Sequence, residues 1–155
     1  MASQFKSLLL HMVLPLLAGS VLYIGFRSED LRMFRWFETI GIIKPILDFR
    51  AVINPYESNL PDWVYYSLPD GLWVYAFASA YLILWRNDLR AVRLWLLFPL
   101  VFGCLAELAQ GMGILRGTFD LTDLSLCSIA LLLSISIFNQ SIFKYEQTKQ
   151  TKNHQ

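Results

Sequence analysis

The stretch LWLLFPLVFGCLAELAQGMGIL, residues 94–115, carries one charge, Glu107, in an otherwise apolar run. A helix needs about 20 such residues to cross about 30 Å of hydrocarbon, because each residue rises 1.5 Å. Backbone polar groups in lipid must bond within their own segment, so the stretch is predicted to be a helix. The feature that decides the fold is therefore an apolar helix with a carboxyl group inside it.

Three further segments resemble this one. Residues 8–26 and 124–143 contain no charge, and residues 63–85 contain Asp70 near their start. Charged residues make up 16% of the chain, against about a quarter in soluble domains. The sequence therefore predicts an all-α membrane protein, a four-helix transmembrane bundle that forms one integral membrane domain over residues 1–143. Residues 144–155 are predicted to be a short polar C-terminal tail.

The connection between the first two spans, residues 27–62, contains an amphipathic helix in its first half. On a helical wheel its apolar and polar residues take opposite sides; these are Met33, Phe34, Trp36, Phe37 and Ile40 against Arg32, Arg35, Glu38 and Thr39. Such a helix either lies flat on the bilayer as an interfacial helix or covers the bundle as a lid, and the pattern leaves both open. Beyond Lys44, the residues Pro45, Pro55 and Pro61 are expected to interrupt regular structure.

The distribution of basic residues indicates the orientation. Lysine and arginine concentrate in short cytoplasmic loops. Here they concentrate in the connection 86–93 and in the tail, as Arg86, Arg90, Arg93, Lys144, Lys149 and Lys152. The sequence thus predicts a multi-pass protein of the inner (cytoplasmic) membrane of a cell, with both termini cytoplasmic.

Polar side chains are predicted to gather at the end of the bundle opposite the termini. Antiparallel spans bring the start of the second, the end of the third and the start of the fourth to that end. The candidate ligand-binding residues there are Asp70, Glu107, Gln110, Arg116, Asp120 and Asp123. A charge inside a span costs about 2.5–3.5 kcal/mol, so Glu107 needs a partner. Arg116 is the leading candidate, and a hydrogen bond to Gln110, which shares its helix face, is the alternative.

Each candidate also has a purely structural interpretation. Glu107 and Gln110 fit a ligand or proton site and an interhelical clasp equally well. Asp70, Asp120 and Asp123 stand where they can cap or charge the first turn of a helix. Arg116 is either an ordinary interfacial arginine or a ligand for an anionic headgroup, because its planar donors suit phosphate.

The order of these residues carries a family resemblance. Pro69–Asp70, then Glu107-x-x-Gln110, then Arg116 with Asp120 and Asp123 resembles the VanZ-like family, small bacterial membrane proteins named for a teicoplanin-resistance protein. The resemblance covers residues 69–133. It implies a cell-envelope setting but no defined activity, because the biochemical activity of the family is itself poorly defined. The chain also departs from the family pattern, since Gly71 stands where family members usually have lysine.

The sequence shows no residue pattern typical of a nucleic-acid, metal or cofactor site. The chain has no basic tract interleaved with aromatics, so no nucleic-acid partner is predicted. Cys104 and Cys127 fall inside predicted spans and are interpreted as packed thiols, and His11 as a hydrogen-bonded residue. No metal and no cofactor is predicted, and the catalytic residues, if there are any, are unknown.

Three hypotheses remain for the function. In the first, the polar cluster binds membrane lipids or a lipid-linked cell-wall intermediate on the extracytoplasmic side. In the second, the chain is a non-catalytic subunit of a larger membrane complex or a homo-oligomer, with the helix face around Gly103 as the seam. In the third, the carboxyl groups serve a small membrane enzyme as acid and base.

Overall fold

The computed structural model describes residues 2–85, 89–114 and 120–153, and these residues form an all-α fold. The helices are α1 (Ala2–Leu8), α2 (Leu14–Phe26), α3 (Arg32–Thr39), α4 (Ile43–Ile53), α5 (Asp62–Tyr66), α6 (Leu68–Leu84), α7 (Leu89–Gly111) and α8 (Leu121–Asn153). The four longest helical segments overlap the four predicted spans, but the second predicted span is divided at Ser67, and only two of the described segments are long and apolar enough to cross a membrane. The all-helical fold is confirmed, and the four-span bundle is not. Helix α8 continues through the residues that were predicted to form a tail.

A π-helical turn, Leu9–Val13, joins α1 to α2 without a break. Pro15 follows it in the first turn of α2. Proline has no backbone N–H and its ring collides with the carbonyl of the residue four positions earlier. A local π-turn changes the hydrogen-bond pattern at that point, so the helix accommodates Pro15 and continues.

Helix α6 is the centre of the bundle and runs parallel to α8. Val74 packs with Cys127 near the start of both helices, and Ile83 packs with Phe138 further along. Small residues make this close packing possible, because a short side chain lets two backbones approach. The buried small residues of α6 include Ala76, Ala78, Ser79 and Ala80.

Helix α6 also runs antiparallel to the first helix. At one end Gln4 Nε2 donates to the Ile83 carbonyl at 3.3 Å. At the other end Gly19 packs against Trp73, so closely that a Cβ at Gly19 would lie 2.8 Å from the indole nitrogen. The end of α2 and the starts of α6 and α8 therefore meet at one end of the bundle, as predicted.

The connection 27–62 is almost entirely helical, and the prediction of irregular structure beyond Lys44 is wrong. Pro45 lies in the first turn of α4, where a missing N–H costs no intrahelical bond. Pro55 begins a 3₁₀-helix, Asn54–Asn59, and Pro61 directly precedes α5. These prolines start helices here and do not interrupt them.

The predicted amphipathic helix exists as α3, but its apolar side is divided. Phe34 is only 3% exposed and lies under the Arg50 guanidinium, 5.1 Å from ring centroid to Cζ. Trp36 and Ile40 are 66% and 65% exposed. The helix is therefore packed down along one edge, as a lid would be, and presents an apolar edge outward, as an interfacial helix would.

Arg50 fixes this layer of short helices to the end of α2. Its Nη1 donates to the Ile24 carbonyl at 2.6 Å, and its Nε lies 3.3 Å from Glu29 Oε1. Ile24 is near the C-terminus of α2, where carbonyl groups lack intrahelical partners and a cation is favourable. The sequence reading did not single out Arg50.

Two described helical segments are long and apolar enough to cross a membrane, Gln4–Phe26 and Leu121–Phe138. Leu68–Leu84 and Trp95–Gly111 are apolar but shorter. Only 11% and 22% of the two longer segments is buried within the protein. A core helix of a water-soluble protein is mostly buried, so these two helices carry the outward apolar surface of a membrane-associated chain.

Candidate functional site

Glu107 is buried at the end of the bundle where α2, α6, α7 and α8 meet, with 7% of its surface exposed. Its Oε2 accepts a hydrogen bond from the backbone N–H of Asp120 at 2.9 Å. This bond ties the last turns of α7 to the start of α8. The partner of Glu107 in the structure is thus a backbone group, which differs from both side chains that the sequence suggested. Arg116, the leading candidate, lies outside the described residues.

Asp120 caps α8, which confirms one of the two interpretations of this residue. Its Oδ1 accepts a hydrogen bond from the Thr122 backbone N–H at 2.8 Å, the geometry of an N-cap. Donation from the backbone and from the side chain of Thr122 lowers the pKa of Asp120 below its usual range. Asp120 therefore makes two hydrogen bonds at this end: its N–H donates to Glu107, and its carboxylate caps α8.

Asp123 lies in the first turn of α8, and its carboxyl group is within hydrogen-bonding reach of Glu107. Its Oδ1 is buried and has no hydrogen-bond partner among the described residues. We call these two residues the Glu107–Asp123 carboxyl pair, and Asp123 Oδ1 is the atom of the pair that lacks a partner in the described part of the chain.

Asp70 lies in the first turn of α6, close enough to Asp123 and Glu107 for their charges to act on it. The sequence favoured a capping role, but the N-cap position is Ser67, and it makes no side-chain capping bond. Asp70 instead forms an ion pair with Arg27, with Oδ2 3.7 Å from Nη2. Asp70, which was predicted to cap α6, is therefore the ion-pair partner of Arg27.

Arg27 is the residue of this site that the sequence reading missed. It directly follows α2, and its Nη2 donates to the Tyr66 carbonyl at 2.7 Å. The rings of Tyr23 and Tyr66 each lie 5.2 Å from its Cζ, so aromatic rings hold the guanidinium in place. The order of the chain alone could have indicated it. An arginine at the end of the first helix must lie at the same end of the bundle as an aspartate at the start of the next antiparallel helix.

Gln110 is half-buried one turn after Glu107 on the same helix, as its spacing predicted. Its backbone carbonyl accepts the Gly113 N–H at 2.9 Å, and Gly113, two residues beyond the end of α7, has a positive φ. Gln110 thus borders the site next to the helix end. Among the described residues no group of three or more His, Cys, Asp or Glu side chains is arranged to hold a metal ion.

Three further residues singled out from the sequence are His11, Cys104 and Cys127. His11 Nδ1 is 2.7 Å from the Tyr75 hydroxyl, which confirms that the histidine is hydrogen-bonded. Cys104 and Cys127 are free thiols, half-buried and buried respectively. They pack as small apolar side chains.

Comparison with protein-family models, with curated proteins and with solved structures gave no match to this chain. The resemblance to VanZ-like proteins therefore stays a prediction from the quoted residues. What the chain does must be argued from its own geometry.

Proposed function

We propose that this chain is a VanZ-like multi-pass protein of the bacterial cell envelope that binds a lipid headgroup at its carboxylate–arginine cluster. The cluster is defined as Arg27, Asp70, Glu107, Asp120 and Asp123. The ligand is a membrane lipid or a lipid-linked cell-wall intermediate. The observation that carries the proposal is the burial of Glu107 beside Asp123 at the end of an otherwise apolar bundle.

The arrangement of α6 supports four membrane spans. Helix α6 has 17 residues and a length of about 25 Å, close to the thickness of the hydrocarbon core. It lies along the first helix from the Gln4–Ile83 contact to the Gly19–Trp73 contact. Helix α6 thus lies beside the first helix over most of its own length, and α7 packs beside α6, which supports the proposal of four spans.

The packing of α6 along the first helix also bears on the side of the membrane at which the cluster lies. If the connection 86–93 and the C-terminus are cytoplasmic, as their lysine and arginine content favours, the cluster lies at the extracytoplasmic end. Glycerophospholipids and lipid-linked cell-wall intermediates both present phosphate-containing headgroups at that depth. Intramembrane hydrogen bonds contribute only about 0.6 kcal/mol on average, so stability alone is a weak reason for a buried carboxyl group there.

Lipid retention by the purified protein tests the proposal. We expect Glu107→Gln and Arg116→Ala, each reconstituted in membrane-derived lipid, to retain less co-purified phospholipid or lipid-linked intermediate than the unmodified chain. Asp48→Asn, an exposed carboxylate on α4, is the matched control. Gln at position 107 keeps an oxygen for the Asp120 N–H, so the variant should fold. If folded Glu107→Gln and Arg116→Ala retain as much lipid as the unmodified chain, the proposal is refuted.

One observation favours a second candidate, a non-catalytic subunit of a larger membrane complex. A Cβ at Gly103 would meet no atom within 4 Å among the described residues, so the close approach that a glycine permits is not used within the chain. Phe102 and Leu105, three apart on another side of α7, are exposed, which leaves that side free for a helix of another chain. Mass measurement in nanodiscs decides this: a monomer with no co-purifying protein excludes the complex.

A further inference from the structure

The cluster contains an arginine whose donors are only partly used. Arg27 Nη2 bonds the Tyr66 carbonyl and faces Asp70, while its buried Nε has no hydrogen-bond partner among the described residues. Buried donors are normally paired, because an unpaired one loses its bond to water without replacement. A guanidinium held in one plane with an unused N–H is suited to a phosphate oxygen.

The cluster also contains acceptors that need donors. Glu107 uses Oε2 for the Asp120 N–H, and Asp123 stands beside it with Oδ1 buried and unpaired among the described residues. Arg27 is already paired with Asp70. The Glu107–Asp123 carboxyl pair is therefore suited to a positively charged donor with more than one N–H.

Ser67 gives an independent sign that a ligand completes this end. Its side chain is 0% exposed, and its hydroxyl has no hydrogen-bond partner among the described residues. Ser67 lies one turn before Gly71 on the same helix face, and a Cβ at Gly71 would meet Leu126 Cβ at 3.4 Å. Because α6 and α8 are parallel, this register places Ser67 opposite the first turn of α8, which carries Asp123.

Arg27 Nε and Asp123 Oδ1 thus both lack a partner among the described residues at the same end of the bundle, one a cationic donor and the other an acidic acceptor. We propose, on the basis of the lipid-binding function above, that the ligand is the phosphoethanolamine headgroup of an aminophospholipid. Its phosphate lies at Arg27 and its ammonium at the Glu107–Asp123 carboxyl pair, with Ser67 as a further hydrogen-bonding group. A phosphoglycerol headgroup lacks the cation, and a phosphocholine headgroup has a cation without N–H donors.

Native mass spectrometry of the full chain tests this inference. The protein is equilibrated with equal amounts of phosphatidylethanolamine, phosphatidylcholine and phosphatidylglycerol that share the same acyl chains. We expect phosphatidylethanolamine to be retained about tenfold over each of the other two, a difference of about 1.4 kcal/mol. Asp123→Asn should remove this preference. Arg27→Lys, which keeps the charge but loses the planar fork, should weaken retention of all three lipids.

Two exposed residues supply the controls: Asp48→Asn and Arg32→Gln, on α4 and α3, should leave retention and preference unchanged. Equal retention of the three lipids, still lowered by Arg27→Lys, overturns the headgroup assignment and leaves the proposed lipid binding standing. A preference for phosphatidylethanolamine that persists in folded Asp123→Asn also overturns the assignment. Retention that no cluster variant changes overturns both.

Discussion

Replacing Gly19 by alanine probes the close packing of α2 on α6. A Cβ at this position would lie 2.8 Å from Trp73 Nε1, 3.0 Å from Trp73 Cδ1 and 3.1 Å from the Pro69 carbonyl oxygen. Overpacking of this kind costs about 1–3 kcal/mol, and the gain from replacing a helical glycine is about 0.5–1 kcal/mol. We therefore expect Gly19→Ala to lower the free energy of unfolding by about 1–2 kcal/mol.

Gly103→Ala is the matched control, because its Cβ would meet nothing within 4 Å among the described residues. It should stabilise α7 by about 0.5–1 kcal/mol through the smaller loss of backbone entropy. Unfolding in mixed micelles with increasing SDS, followed by circular dichroism, gives both values. If Gly19→Ala is as stable as Gly103→Ala, the close packing of α2 on α6 is not as described. Trp73→Phe should partly rescue Gly19→Ala, since it removes the indole nitrogen.

Three further predictions concern hydrogen bonds and can be checked in the same unfolding experiment. Arg50→Ala should cost about 1.5–3 kcal/mol, because a charged donor to the Ile24 carbonyl is lost, and an effect below that of an exposed arginine would contradict the contact. His11→Phe should cost only about 0.6 kcal/mol, the average for an intramembrane hydrogen bond such as that with Tyr75, and a much larger loss would indicate another role. Asp120→Ala should destabilise the protein at neutral pH, where Asp120→Asn should not. A folded-state pKa below the normal 3.8 means that this stabilisation is present above that value and is lost as the pH falls below it, so a pH-independent difference would refute the capping role.

The sequence predicted the helical fold and the end at which polar residues meet, for physical reasons that act locally. Long apolar runs can satisfy their backbone only as helices, and consecutive spans alternate in direction. Those two facts place Asp70, Glu107 and Asp123 together without any knowledge of side-chain packing. The capping role of Asp120 could also be predicted from the sequence, because an aspartate directly before a helix commonly binds the N–H groups of its first turn.

The partners of these residues were less predictable, because they depend on how the connections fold. The Asp120 N–H reaches Glu107 only through the path of the chain between α7 and α8, and no periodicity encodes that path. Arg27 belongs by sequence to the connection 27–62, but its place directly after α2 determines its end of the bundle. Pro45 was predicted to interrupt regular structure, but a proline in the first turn of a helix favours the start of that helix.

The π-helical turn at Leu9–Val13 amounts to one residue more than an α-helix would use over the same distance. Removing Leu10 would therefore restore an uninterrupted α-helix over the same distance, without turning the segment before it. Gln4 would keep its bond to the Ile83 carbonyl, and Gly19 would keep its place against Trp73. The π-turn thus absorbs one extra residue between these two contacts, so that both ends of the first helix stay in register with α6.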